Sequence, residues 1–258
     1  MNAILEAAAR LHRAAQDHRP CPPVRDLIGP SDVGAAYAVQ RELTRARLAG
    51  GARVVGRKIG LTSPAVQRQL GVDRPDFGVL FADMAYPDGA EIPMTRLLQP
   101  RAEAEVAFVL GRDLDEPGLG PERVRAAVAY AVAALEIVDS RIEGWDITFG
   151  DTVADNASSG LFVLGGRPAP LERFEPAEVG MTMTLGGEVV STGTGADCLG
   201  DPLRALAWLA ETARELGDPL RAGQVVLSGA LGPMRPVGSG DEVAAEISGL
   251  GPVRAVFV

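Results

Sequence analysis

The spacing of apolar residues changes at the glycine pair Gly50-Gly51, and no other feature of the chain constrains its fold as strongly. Before that pair, residues 3–17 and 32–49 carry helical periodicity, separated by Pro20-Cys21-Pro22-Pro23. Ser31 or Asp32 serves as N-cap of the second helix. From Arg53 onward the pattern becomes strand-rich: Val54–Ile59, Ala104–Leu110, Leu161–Leu164, Met181–Leu185 with Glu188–Ser191, Val225–Ser228, Val243–Ile247 and Val253–Val258. Gly186-Gly187 and Ser248-Gly249-Leu250-Gly251 sit where hairpin turns belong. Four helices interrupt the series: Ser63-Pro64 to Gly71, Pro121–Ala134, Asp146–Asp155, and Asp201-Pro202 through Leu216 with Gly217 beyond. Strands mixed with segregated helices predict an α+β fold and no regular βαβ repeat. The expected organisation is a helical N-terminal part over 1–52 and a β-rich domain over 53–258 that carries the chemistry, built as one continuous unit.

Composition narrows the partners. The 258 residues are 47% hydrophobic, ample for a sizeable core, and the formal charge is −9. That balance argues against a nucleic-acid or anionic-membrane surface, which selects a basic footprint. A small molecule or a second copy of the chain is the expected partner. Met1-Asn2-Ala3-Ile4-Leu5-Glu6 lacks the basic and apolar regions of a signal peptide, and no run is long enough to span a bilayer, so a cytoplasmic protein is expected. Cys21 and Cys198 cannot form a disulfide framework or a cysteine-rich zinc site and read as reduced structural thiols. His12 and His18 both fall at the first helix, far from other polar clusters, which disfavours a His-based triad or zinc site. G-x-G-x-x-G, Walker A and G-x-S-x-G motifs are all missing.

Two features carry chemistry. Lys58 is the only lysine among 25 basic side chains. An ammonium can release and regain a proton where a guanidinium cannot, which makes Lys58 a candidate acid/base or Schiff-base residue. In Pro100-Arg101-Ala102-Glu103-Ala104-Glu105-Val106, strand alternation puts Glu103 and Glu105 on one face, about 7 Å apart. Such a pair is either a solvated strand face or, at a cavity mouth, two anions that need a cation or a shared proton between them. Glu136, set inside the apolar Ala133–Val138 run, is a third candidate. All-oxygen ligation points to Mg²⁺ or Mn²⁺ in preference to zinc.

Four runs make the sequence recognisable: Gly56-Arg57-Lys58-Ile59-Gly60-Leu61-Thr62-Ser63, Gly71-Val72-Asp73-Arg74-Pro75-Asp76-Phe77-Gly78, Pro100-Arg101-Ala102-Glu103-Ala104-Glu105, and Asp151-Thr152-Val153-Ala154-Asp155-Asn156-Ala157-Ser158-Ser159-Gly160. From about Val54 to the C-terminus the chain resembles the 2-keto-4-pentenoate hydratase family of the fumarylacetoacetate-hydrolase-like superfamily. The resemblance implies a mixed β-sheet roll like the fumarylacetoacetase C-terminal domain, with a smaller helical N-terminal part, and a homo-oligomer. It also implies a metal on Glu103, Glu105 and Glu136, and a catalytic pair Lys58 and Asp76. The implied reaction is hydration of 2-hydroxypenta-2,4-dienoate in meta-cleavage catabolism of aromatic compounds. Lys58, partly desolvated near a cation, is expected to have a lowered pKa and to work beside Asp76.

Other residues leave alternatives open. Leu61 and Arg101 are further substrate-binding candidates, although Arg101, like Arg57, is equally an ordinary salt-bridge residue. Asn156, Ser158 and Ser159 either line the pocket or form a helix-to-strand turn. Asp139 and Arg141 are expected to orient Glu136 from behind. Rival activities on the same scaffold are decarboxylation of 2-oxohex-3-enedioate (4-oxalocrotonate) and hydration of 2-oxohept-4-ene-1,7-dioate. The runs Cys198–Pro202 and Leu227–Met234 look like the pentenoate branch. Fumarylacetoacetate-type C–C hydrolysis lacks a histidine near the carboxylates, and a non-catalytic pathway scaffold would have no use for Lys58 and three glutamates.

Overall fold

The computed structural model describes residues 2–63, 67 and 72–258. The helix expected from Ser63-Pro64 to Gly71 falls almost wholly outside the described residues. Two long helices open the chain, α1 (Ala3–Gln16) and α3 (Val33–Ala49), with a single turn α2 (Arg25–Ile28) between them. Asn2 caps α1 by accepting from the Ile4 amide at 3.0 Å, and Asp32 caps α3 by accepting from Ala35 at 2.9 Å. The choice between Ser31 and Asp32 is therefore settled by the side chain that reaches the free amide.

Two mixed sheets follow. The larger runs in the order β2 (Asp76–Phe81), β1 (Val54–Gly60), β10 (Val225–Ala230), β5 (Pro100–Leu110), β6 (Val128–Asp139), β7 (Ser159–Leu164), β3 (Ala85–Pro87), with β11 (Arg235–Pro236) also on β5. The smaller runs β4 (Ala90–Ile92), β13 (Gly251–Phe257), β12 (Glu242–Ile247), β8 (Gly180–Leu185), β9 (Glu188–Thr194). The pairs β1/β10, β3/β7 and β4/β13 are parallel and the others antiparallel. Both expected hairpin turns are present, joining β8 to β9 and β12 to β13. The remaining α-helices described are α4 (Pro121–Ala127), α5 (Phe149–Ala154) and α6 (Pro202–Glu215). Asp201 accepts from the Leu203 amide at 2.8 Å and Pro202 occupies the first turn, so α6 begins where its sequence signals say. Leu11, Tyr37, Phe81, Phe108, Leu206 and Phe257 belong to one apolar core, which the N-terminal helices share with the sheets.

One expected helix is half strand. Pro121–Ala134 is helical only to Ala127, and Val128 onward forms β6. Residues 131–139 are all buried, with β5 on one edge and β7 on the other. A strand covered on both faces shows no alternation, and its alanines imitate a helix. This correction matters because β6 carries Glu136. The sequence reading also leaves out β2, β3, β4, β11 and α2; β2 carries Asp76.

Candidate active site

The pairing registers gather five polar side chains onto one face of the larger sheet. Glu103 on β5 lies directly opposite Glu136 on β6. Glu105, two residues along β5, shares their face by alternation. Lys58 on β1 is in register with Leu227 of β10, which is in register with Ala107 of β5. Ala107 has the parity of Glu105, so Lys58 points to the same side. Asp76 on β2 faces Gly60, two residues beyond Lys58. A Cβ at position 60 would collide with Asp76 Oδ1 and come within 3.3 Å of Lys58 Nζ, so only glycine leaves room for the pair.

The glutamates form a compact donor set. Glu103, Glu105 and Glu136 each offer an oxygen within 4.8 Å of the others. Glu105 and Glu136 are fully buried and Glu103 is half-buried. The Gly229 amide donates to Glu105 Oε2 at 2.6 Å, and Lys58 Nζ lies 3.2 Å from Glu136 Oε1. Among the described residues, Glu105 Oε1 and Glu136 Oε2 have no hydrogen-bond partner. Buried carboxylate oxygens without donors are costly, and like charges opposite each other in a ladder repel. A hard divalent cation fits this donor set on all three counts: oxygen ligands, unspent lone pairs and one ammonium set against several acids.

Titration follows from this crowding. Burial pushes Glu103 up to about 7, with repulsion from Glu136 adding to it. Burial and the neighbouring Glu136 and Glu103 hold Glu105 well above the usual carboxylate range, and burial raises Glu136 despite Lys58. Burial pushes Asp76 up to about 6, with Lys58 opposing the rise. Burial acts to lower the Lys58 pKa, but in the metal-free chain Glu136, Asp76, Glu103 and Glu105 outweigh that, and the net shift is upward. The ammonium is therefore held charged.

The other sequence candidates separate. Arg101 shares the face of Glu103 and stacks 4.4 Å over the Trp145 ring, with no ion-pair partner among the described residues. Arg57 points to the opposite face, where it pairs with Asp218. Leu61 follows β1 with φ +57 and accepts from Gln67 through its carbonyl at 2.8 Å. Ser158 is buried, its hydroxyl 3.3 Å from that of Thr152. The carboxamide of Asn156 is engaged at both ends by the Val79 backbone. Asp139 and Arg141 do not touch Glu136. Asp139 is an odd number of residues along β6 and accepts from the Leu98 and Gln99 amides at 2.9 and 2.6 Å. Arg141 binds Asp155 at 2.5 Å and the Ser159 carbonyl at 2.7 Å. Both histidines are exposed, as expected.

Sequence reasoning singled out the runs that contain Gly229, Thr152 and Asp151 but assigned none of the three a role. The last accepts from the Val24 and Arg25 amides at 2.9 and 2.8 Å and so ties α2 to α5, a structural task for a motif residue. Its signal was an acid inside a buried helix.

A fold of two mixed sheets with an acidic cluster on an inner face defines a class that the comparisons identify. The fumarylacetoacetate (FAA) hydrolase C-terminal family matches residues 53–258, and the chain belongs to that family. Within it, the 2-keto-4-pentenoate hydratase of Burkholderia vietnamiensis is 56% identical, covering 99% of this chain and 98% of that protein. The 2-hydroxyhexa-2,4-dienoate hydratase of Comamonas testosteroni is 43% identical over 96% of this chain and 95% of that protein. Among solved structures, the 4-oxalocrotonate decarboxylase from Pseudomonas putida, complexed with magnesium and adipate, superposes with a TM-score of 0.95 at 36% identity, covering 99% of this chain and 97% of that one. Among the described residues, no helix is long and apolar enough to cross a membrane.

Proposed function

We propose that this chain is a divalent-cation-dependent hydro-lyase that hydrates 2-hydroxypenta-2,4-dienoate to 4-hydroxy-2-oxopentanoate in the catabolism of aromatic compounds by meta-cleavage. The observation that carries it is the single sheet face joining three clustered glutamates to Lys58 and Asp76, on a chain 56% identical end to end to a 2-keto-4-pentenoate hydratase. Glu103, Glu105 and Glu136 are the proposed cation ligands, and Mg²⁺ or Mn²⁺ the proposed ion. When bound, the ion supplies Lewis-acid stabilisation of negative charge developing on the substrate's 2-oxygen.

The chain's own residues handle the protons. Ketonisation takes the proton from the 2-hydroxyl and adds one at C5, giving an α,β-unsaturated ketone. Water then adds at C4, and a proton at C3 completes the product, so the balance is one water gained. Asp76, raised to about 6, holds or releases a proton near neutral pH. Lys58, 3.2 Å from Glu136, donates to oxygen or water as the ammonium and stabilises negative charge beside it. Arg101 receives a substrate carboxylate, and Leu61 and Ser158 line the pocket. The reading extends to a homo-oligomer in the cytoplasm, which family resemblance supports.

The test is product analysis. Purified protein with Mg²⁺ should consume 2-hydroxypenta-2,4-dienoate and yield 4-hydroxy-2-oxopentanoate without carbon dioxide. Carbon dioxide released from 2-oxohex-3-enedioate at a comparable or higher rate would assign the chain to the decarboxylase branch instead.

A further inference from the structure

Asp76 sits on β2, the strand at the end of the larger sheet, which pairs with β1 along one edge only. Among the described residues, no strand pairs with the other edge. An exposed ladder edge leaves backbone groups without partners and lets a strand shift. Here side chains complete it. The Val79 amide donates to Asn156 Oδ1 at 2.7 Å and Asn156 Nδ2 donates to the Val79 carbonyl at 3.0 Å, the pair of bonds that a neighbouring strand residue would make. Two residues earlier, the Phe77 carbonyl accepts from Gln40 Nε2 at 2.9 Å, and the same Gln40 nitrogen reaches the Val153 carbonyl at 2.9 Å. Phe77 and Val79 are the outward-facing backbone positions, and Asp76 directly precedes Phe77 on the same strand.

Asn156 reaches that edge at a cost. Asn156, Ala157 and Ser158 have φ of 57°, 52° and 52°, three consecutive non-glycine residues in the left-handed region. Asparagine tolerates this conformation, whereas alanine and serine are strained in it. Strain kept over three residues points to a task for the turn. The close approach is built in: a Cβ on Gly78 would collide with the Asn156 carbonyl, which in turn accepts from Ser159 Oγ at 2.7 Å.

We propose that Asn156, assisted by Gln40, is a positioning residue whose carboxamide substitutes for the missing neighbour strand of β2 and thereby fixes Asp76 opposite Gly60 and beside Lys58. This rests on the catalytic role proposed for Asp76. Both ends of the Asn156 carboxamide are spent on the Val79 backbone, so it acts through β2.

A double-mutant cycle tests it, using Asn156→Ala, Asn156→Asp, Asp76→Asn and the corresponding double variants. Misplacement of a reacting group costs up to roughly 10²-fold, so Asn156→Ala should lose about 10- to 100-fold in kcat. KM and the Mg²⁺ concentration for half-maximal rate should stay within about twofold, because ground-state binding is untouched. Asn156→Asp keeps the acceptor for the Val79 amide and should recover part of the rate. In the Asp76→Asn background either Asn156 change should cost less than about twofold more, since both act through one group. If Asn156→Ala fails to fold, Asn156→Asp carries the cycle. Additive losses, a raised KM with unchanged kcat, or native kcat in the Asn156 variants overturn the positioning role and leave the catalytic assignment standing. Native kcat in Asp76→Asn alone removes Asp76 from the chemistry, and this role with it.

Discussion

Glu136 lies directly across the β5/β6 ladder from Glu103, so two carboxylates that repel each other are fixed side by side on one face of the larger sheet. Folding alone gives no reason to keep such a pair. With Glu105 adjacent and two buried oxygens lacking partners among the described residues, the arrangement is a receptor for a hard cation. Replacing any of the three by glutamine keeps its shape and removes a ligand charge. Loss of an outer-shell partner costs roughly 10–100-fold in metal affinity, and each of these variants should lose at least that in a Mn²⁺ titration by calorimetry. Unchanged affinity in all three variants rules out the triad as the site.

Lys58→Arg should be nearly as damaging as Lys58→Ala. The ammonium is buried, 3.2 Å from Glu136, and a guanidinium differs from it in shape and does not readily exchange a proton. Losing a general acid costs roughly 10²-fold or more in kcat, measured in steady-state kinetics. A near-native rate for Lys58→Arg would return Lys58 to a purely structural role.

Without metal the same crowding makes stability depend on pH. Asp76 is pushed up to about 6 and Glu103 up to about 7, both above their values in an unfolded chain. The native state therefore binds these protons more tightly than the unfolded state. Their stabilisation is complete below the unfolded values near ~4 and is lost as pH rises through about 6 to 7. The Tm of chelator-treated protein should fall from about pH 5 to about pH 8, and saturating Mg²⁺ should flatten that fall. A metal-free Tm that rises across this window contradicts the clustering of uncompensated acids.

Much of this site was legible in the sequence, for a physical reason. Strand alternation depends only on local geometry, so the shared face of Glu103 and Glu105 could be read from one run of residues. Glu136 stood out as an acid in an apolar run, but its strand could not be told from a helix, because β6 is buried on both faces. What joins residues distant in sequence was out of reach: the register that sets Asp76 against Gly60, and the Asn156 side chain that completes an open strand edge. The Lys58 shift in the metal-free chain was equally out of reach, because it depends on how many acids converge on the ammonium, which only tertiary structure fixes.

The proposed reaction separates this chain from dicarboxylate-using relatives by substrate choice. A pocket built for an uncharged vinyl tail leaves a 5-carboxylate desolvated without a dedicated partner. Competition between 2-hydroxypenta-2,4-dienoate and its 5-carboxylated analogue should favour the former by several tenfold in kcat/KM. Equal specificity would mean that a cation such as Arg101 receives the distal carboxylate.

The most direct test is the turnover of 2-hydroxypenta-2,4-dienoate by chelator-stripped protein as Mg²⁺ or Mn²⁺ is added back. Activity should be abolished by stripping and return with occupancy of one cation per chain, while Glu136→Gln stays inactive at cation concentrations that saturate the native protein. Full turnover in metal-free protein, or an add-back curve unchanged by Glu136→Gln, would contradict a cation held by Glu103, Glu105 and Glu136 as the centre of the reaction.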